Sequence, residues 1–149
     1  MRIISINANG IRSAARKGFF QWLAGQDADV VCLQETRAQE HQISDALFRP
    51  EGYHCYYLDA ERKGYSGVAL YCRQEPIRVI EGLGSAEFDP EARYIEAVFP
   101  GFASAIILSA SVSENKWLTI VVTAAVQYPW FLAGGVTRYP ICNELSSLS

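Results

Sequence analysis

The first third of the chain alternates apolar runs with amphipathic stretches. The pattern predicts an apolar strand at residues 2–7 and a buried strand at residues 29–34. Between them, apolar residues recur at spacings of three and four, which predicts one helix over residues 11–26. Its apolar stripe is formed by Ile11, Ala15, Phe19, Trp22 and Leu23. Strand, helix and strand in this order predict a βαβ unit, whose two strands pair in parallel.

The pattern after this unit is dominated by strands. A second helix is predicted at residues 39–47, because Pro50 and Gly52 follow it and would end it. Further strands are predicted at residues 53–58, 66–73, 77–81, 94–99 and 103–109. One parallel unit followed by many strands indicates an α/β fold, with a mixed, largely antiparallel sheet and helices on its outside.

The composition changes near Ala110. Only four of the 29 charged side chains lie in residues 110–149, and residues 117–137 carry none. This uncharged run has the length of a membrane span, but threonine, glutamine, proline and glycine interrupt it, and residues 119–123 look like a β-strand. Three interpretations stay open here: a transmembrane helix, an interior strand, or a segment foreign to the pattern of the domain.

The bulk composition excludes several classes of protein. The chain has 149 residues, of which 50% are hydrophobic, so it is the size of one domain with enough apolar side chains for a core. Its net charge of −3 excludes a global positive field, and any nucleic-acid contact must be local. The four cysteines are scattered singly, which argues against a zinc site or a disulfide framework. We expect a cytoplasmic protein without a membrane anchor, with a buried, reduced thiol at Cys32.

Polar side chains follow both strands of the predicted βαβ unit. Asn7 ends the first strand, and Glu35 comes directly after the second. Because parallel strands end at the same sheet edge, these side chains should lie near each other, where sites usually form. Carboxylate and amide oxygens suit a hard cation, Mg²⁺ first. The alternative is that Asn7 begins a turn and Glu35 is a solvated strand end.

Two further features could contact phosphate. Residues 63–70 form a glycine-flanked loop that runs into a strand, where freed backbone amides could approach a phosphate and Tyr65 could stack on a base. The alternative for this loop is an ordinary hairpin turn. Arg12 belongs to the densest basic group, with Arg16 and Lys17, at helical spacing just after Asn7. The residues alone favour an ordinary solvated helix face for this group over a phosphate contact.

Four ordered motifs carry a family resemblance. They are residues 7–12 (NANGIR), 33–36 (LQET), 63–69 (KGYSGVA) and 92–95 (ARYI). In order and spacing they resemble the bacterial exonuclease III type of abasic-site endonuclease, of the endonuclease/exonuclease/phosphatase superfamily. The resemblance covers about residues 1–109. It implies the N-terminal portion of a four-layer α/β sandwich of two packed sheets, incomplete in this chain.

The resemblance also implies a function. It points to a DNA-repair nuclease dependent on Mg²⁺ or Mn²⁺, which cleaves the backbone at abasic sites and trims double-stranded DNA from 3′ ends in base-excision repair. The full-length family is expected to be monomeric. Glu35 matches the principal metal-binding glutamate of the family and Asn7 the asparagine beside it. Positions on the DNA-facing rim are matched by Arg12, Tyr65, Ser66, Gly67 and Arg93.

The chain departs from the family pattern after residue 109. Residues 111–115 replace a Tyr-x-Pro-x-Gly segment, no aspartate follows Asp89, and both histidines, His41 and His54, precede the departure. No residue therefore matches the catalytic tyrosine, aspartate or histidine. We divide the chain into a partial nuclease domain, residues 1–109, and a divergent tail, residues 110–149, produced by a frameshift or truncation or by selected divergence. The predicted protein is an inactive, truncated nuclease; the alternative is a non-catalytic remnant or a small binding module.

Overall fold

The computed structural model describes residues 2–100 and the strand at residues 102–108. The strands in this part are β1 (Ile3–Asn7), β2 (Val30–Gln34), β3 (His54–Leu58), β4 (Val68–Cys72), β5 (Arg78–Glu81), β6 (Tyr94–Phe99) and β7 (Phe102–Leu108). The α-helices are α1 (Ile11–Arg16) and α2 (Phe19–Ala24), and single 3-10 turns lie at Glu40–Gln42, Ala46–Phe48 and Asp89–Glu91. Every strand predicted in this part of the chain is present.

The strands form two sheets. The first sheet has the order β1-β2-β4-β3 and the second has the order β5-β6-β7. β1 pairs with β2 in parallel, from Ile3 opposite Val30 to Asn7 opposite Gln34, which confirms the βαβ unit. All other pairings in these sheets are antiparallel. The predicted mixed sheet is therefore the first sheet, while the second is antiparallel throughout.

The first sheet lies between two apolar layers. On one face, buried side chains of α1 and α2, among them Ile11, Phe20 and Leu23, pack with Leu33 and Tyr71 of the sheet. The opposite face packs against the second sheet, and this layer contains Val30, Cys32, Val68, Leu70, Cys72, Ile95, Ala97 and Phe99. Each fully buried aliphatic side chain contributes about 1.5–3 kcal/mol to folding. The arrangement confirms the predicted α/β class, with helices outside a pair of packed sheets.

The single helix predicted over residues 11–26 is wrong. α1 ends at Arg16, and α2 begins at Phe19 after Gly18, whose φ of 88° is left-handed. The apolar spacing continues across this break because both helices pack on the same sheet face. Periodicity alone therefore does not reveal the break, although Gly18 is the residue type that permits it.

The helix predicted over residues 39–47 is also wrong. Two 3-10 turns take its place, and the Asp45 side chain caps the second by accepting from the Leu47 N–H at 2.8 Å. Only Ile43 and Phe48 in residues 40–49 are buried, so the segment has too few core contacts to support a continuous amphipathic helix.

Two further expectations concern thiols and membranes. Cys32 is fully buried with a free thiol, as predicted, and burial raises its pKa far above the usual value. Within residues 2–100 and 102–108, no helix is long and apolar enough to span a bilayer. The uncharged run at residues 117–137 lies outside the described residues.

Candidate functional site

The parallel pairing of β1 and β2 brings the two predicted metal ligands to one end of the first sheet, which we call the head. Asn7 is opposite Gln34, and Glu35 follows Gln34 directly. Backbone pairing continues past the strands, since the Ala8 N–H donates to Gln34 O and the Gly10 N–H donates to Glu35 O, both at 2.8 Å. The role of Asn7 and Glu35 as ligands stays a prediction.

Local hydrogen bonds orient both side chains. Asn7 Oδ1 accepts from the Asn9 N–H at 2.9 Å, which is the turn that the alternative interpretation predicts. Glu35 Oε2 accepts from the Arg37 guanidinium at 2.5 Å, and these side chains are 25% and 45% exposed. Sequence reasoning missed Arg37. The signal for it was a basic residue two positions after the predicted ligand, just beyond the strand.

The donor set at the head suits a hard divalent cation. Asn7 and Glu35 offer oxygen atoms only, the donors that Mg²⁺ prefers. No group of three or more His, Cys, Asp and Glu that could hold a metal occurs among the residues that the structure describes. The fit is therefore one of donor type, to a cation that keeps several waters and takes few protein ligands.

Backbone strain concentrates at the head. Four residues other than glycine have left-handed φ angles there: Asn9 (44°), Glu35 (51°), Arg37 (49°) and Ser66 (43°). Backbone hydrogen bonds hold them, because the Arg37 N–H donates to Ser66 O at 2.9 Å and the Thr36 N–H donates to Gly67 O at 3.0 Å. Such conformations cost about 1–3 kcal/mol each and cluster at functional sites.

Gly67 allows the loop before β4 to approach β2. Its φ is 83°, and a Cβ there would lie 2.4 Å from Thr36 Oγ1. The loop joins the antiparallel strands β3 and β4, so it is a hairpin connection as well as a candidate rim of the site. Ser66 and Gly67 are both buried, so they would contribute to DNA binding by fixing the conformation of the loop.

Tyr65 and Arg93, two residues predicted to lie on the DNA-facing rim, contact each other, and their role in DNA binding stays a prediction. The Arg93 guanidinium donates to Tyr65 OH at 2.9 Å and also pairs with Glu91. Arg62, another residue that sequence reasoning missed, lies 5.2 Å from the centre of the Tyr65 ring. Arg62 and Tyr65 line a cleft of about 430 Å³, together with Glu61, Pro90 and Glu91. Arg12 is exposed on α1, near the start of the helix.

A sequence profile of the Endonuclease/Exonuclease/phosphatase family matches residues 4–136. The chain belongs to this family. An exodeoxyribonuclease of Bacillus subtilis is 46% identical over 100 residues, which are 66% of this chain and 38% of that protein. The DNA repair nuclease APEX1 of Danio rerio is 37% identical over 152 residues, covering 98% of this chain and 49% of that protein. The family that the four motifs suggested is thus confirmed.

Solved structures of the family share the fold. A 3′-5′ exonuclease (NExo) from Neisseria meningitidis superposes with a TM-score of 0.62 at 29% identity, covering 72% of this chain and 41% of that one. An AP endonuclease from Archaeoglobus fulgidus gives 0.58 at 34% identity, covering 68% and 38%. The same Neisseria enzyme, described as a 3′ phosphatase, has been solved with a product DNA hairpin.

The chain spans less than half the length of these relatives. The family match and the zebrafish alignment both continue past residue 109, whereas the Bacillus alignment covers 100 residues. The proposed division of the chain at residue 109 stays a prediction.

Proposed function

We propose that this chain carries the metal-binding and DNA-facing part of a Mg²⁺-dependent DNA-repair nuclease. A complete nuclease of this kind would hydrolyse the phosphodiester backbone at abasic sites and at 3′ ends. One observation carries the proposal: the parallel register of β1 and β2, which brings Asn7 and Glu35 to the same strained sheet end. The names of the relatives, which include exonucleases and AP endonucleases, support the DNA substrate.

Glu35 and Asn7 would hold the cation through their side-chain oxygens. Bound Mg²⁺, or Mn²⁺ in its place, neutralises charge on the phosphate that is attacked. Arg37 already neutralises the Glu35 carboxylate and keeps it oriented. If Glu35 held a cation, the Arg37 guanidinium at the head would be available to a phosphate oxygen.

DNA binding would use an exposed arginine and an aromatic side chain. Arg12 is exposed and can reach a backbone phosphate. Tyr65, whose ring centre lies 5.2 Å from the Arg62 guanidinium and 5.6 Å from that of Arg93, would offer its aromatic ring to a base or sugar. Because the chain has a net charge of −3, we expect binding to be local, weak and sensitive to salt.

The catalytic residues expected from the family resemblance have no counterparts in this sequence. No aspartate follows Asp89, and both histidines precede residue 55, so the aspartate and the histidine expected from the family resemblance are missing. Loss of one transition-state donor alone lowers the rate by about 10²–10³. We therefore propose that the 149-residue chain binds DNA without cutting it. The full-length family is expected to be monomeric, and we propose a cytoplasmic location for this chain.

The test is an incision assay on a duplex with one abasic site. The purified 149-residue chain in Mg²⁺ should give no product, while a longer chain made by restoring the reading frame after codon 109 should incise. Glu35→Ala should remove most of that activity, and Tyr56→Phe, which changes a half-buried tyrosine in β3, is the control for general damage.

Incision by the 149-residue chain itself, abolished by EDTA and by Glu35→Ala, would contradict the proposed inactivity while supporting the metal site. A longer chain that incises equally well with Glu35→Ala would contradict the proposed metal site.

A further inference from the structure

Gln34 is the last residue of β2 and lies at the head of the first sheet. Its side chain is fully buried, yet its Oε1 atom has no hydrogen-bond partner among the described residues. A buried acceptor without a partner costs about 1–3 kcal/mol. Sequence reasoning gave Gln34 no role, so this polar group in a core strand needs an explanation.

The amide orientation of Gln34 follows from its donor side. Nε2 donates to Ser5 Oγ at 3.0 Å and to the Cys32 carbonyl at 3.4 Å. Because a carbonyl oxygen can only accept, the nitrogen must lie on that side. Oε1 therefore points away from Ser5 and Cys32, and the unpartnered atom is an acceptor.

Strand alternation gives the face on which Gln34 lies. Val30 and Cys32 pack against the second sheet, so Gln34, two positions on, faces the same side. Asn7 is its register partner on β1, and paired residues share a face. Gln34, which carries the unpartnered acceptor, thus lies on the same face of the sheet as Asn7. It also directly precedes Glu35 in the sequence.

We propose that Gln34 is a positioning residue of the metal site, and that its Oε1 accepts a hydrogen bond from a water of the hydrated cation held by Glu35 and Asn7. This inference rests on the proposed function. Mg²⁺ and Mn²⁺ bound by few protein ligands retain waters, which are strong donors. Ser66 Oγ, a second buried atom without a partner in the described chain, belongs to the loop that pairs with residues 36 and 37.

The arrangement explains why a glutamine ends this strand. An apolar residue of the same size would fill the core equally well without an unpaired acceptor. Hydrogen-bonding partners of metal-bound groups typically change metal affinity by about 10–100-fold when they are removed. We expect an effect of that kind here.

The test measures Mn²⁺ binding to the full 149-residue chain by loss of the free Mn²⁺ signal in electron paramagnetic resonance. Gln34→Met should raise the dissociation constant about tenfold. Ser5→Ala is the matched control, because it removes one of the two partners of Nε2, while the Cys32 carbonyl still accepts from Nε2 and Oε1 is unchanged. It should change the dissociation constant less than twofold. Gln34→Glu keeps an acceptor at this position, so its dissociation constant for Mn²⁺ should stay close to that of the wild type.

The outcomes separate the two proposals. If wild-type protein binds Mn²⁺ and Glu35→Ala abolishes binding, the metal site stands; equal effects of Gln34→Met and Ser5→Ala, or no effect of either, then overturn the role of Gln34. If wild-type protein binds no Mn²⁺, both proposals fail. If the far-ultraviolet circular dichroism spectrum shows that Gln34→Met is not folded, the Gln34→Glu variant is used instead. A folded Gln34→Glu protein whose Mn²⁺ affinity is well below that of the wild type overturns the inference.

Discussion

The two ends of the first sheet are built in opposite ways. At the head, four residues other than glycine have left-handed φ angles, and buried oxygens of Gln34 and Ser66 lack partners in the described chain. At the other end, which we call the base, the Ala28 carbonyl accepts from Tyr53 OH at 2.8 Å and from Arg73 Nε at 2.7 Å.

The head and the base are the two ends of the same four strands. The order of the strands therefore does not explain why their hydrogen bonding and backbone strain differ. The base uses its polar groups to satisfy backbone atoms, as a structural element should. Within the described part of the chain, the head leaves two buried oxygens unpaired and holds strained residues in place, a combination that costs stability and is typical of functional sites. The contrast supports placing the metal and DNA site at the head.

Gly67→Ala at the head should have the largest effect on stability. The new Cβ would lie 2.4 Å from Thr36 Oγ1 at a φ of 83°. Strain and overpacking together should lower the free energy of unfolding by about 2–5 kcal/mol, measured by urea denaturation. Gly52→Ala at the base has a similar φ of 81° but nothing within 4 Å, so it should cost only about 1 kcal/mol.

A double variant sharpens this prediction. Thr36→Ala removes the oxygen that the new Cβ would meet, so the two substitutions together should cost less than the sum of their separate effects. Strict additivity would show that close approach of the loop to β2 is not what requires Gly67.

Tyr53→Phe at the base should have a moderate effect. It removes the hydrogen bond to the Ala28 carbonyl and should lower the free energy of unfolding by about 1 kcal/mol. Tyr56→Phe is the control, since Tyr56 takes no part in the hydrogen bonds to the Ala28 carbonyl. Thermal unfolding of both variants checks this, and equal melting temperatures would remove the structural role given to the base.

Ser66→Gly at the head should have the smallest effect and the opposite sign. It relieves a left-handed φ of 43° and removes a buried hydroxyl without a partner in the described chain. Glycine has a greater conformational entropy in the unfolded chain, which offsets part of this stabilisation. The free energy of unfolding should therefore rise by about 0.5 kcal/mol. Ser66→Ala, which removes the hydroxyl and keeps the strain, separates the two contributions in the same denaturation experiment.

Much of the fold could be predicted from sequence because its strands have clear apolar patterns. The buried run of β2 and the alternation of β6 both gave correct elements. The break at Gly18 could not be predicted, since α1 and α2 face the same sheet and keep one spacing. Helix periodicity reports the buried face, and it does not report whether the backbone continues.

The candidate site was predictable in part for a related reason. Parallel pairing of two strands follows from the βαβ pattern, which brings Asn7 and Glu35 to one end of the sheet. Arg37 pairs with Glu35 where both residues have left-handed backbone angles, and no pattern of residue types predicts such angles. The unpartnered oxygen of Gln34 likewise appears only once its neighbours are in place.

The most direct test of the central claim, that the head is a cation-dependent DNA site, is fluorescence anisotropy with a labelled abasic-site duplex. Wild-type protein should bind more tightly with Mg²⁺ than with EDTA, Glu35→Ala should lose this difference, and Tyr53→Phe should keep it. If the DNA affinity of the wild type is the same in Mg²⁺ and in EDTA, or if Glu35→Ala responds to Mg²⁺ as the wild type does, the head is not a cation-dependent DNA site.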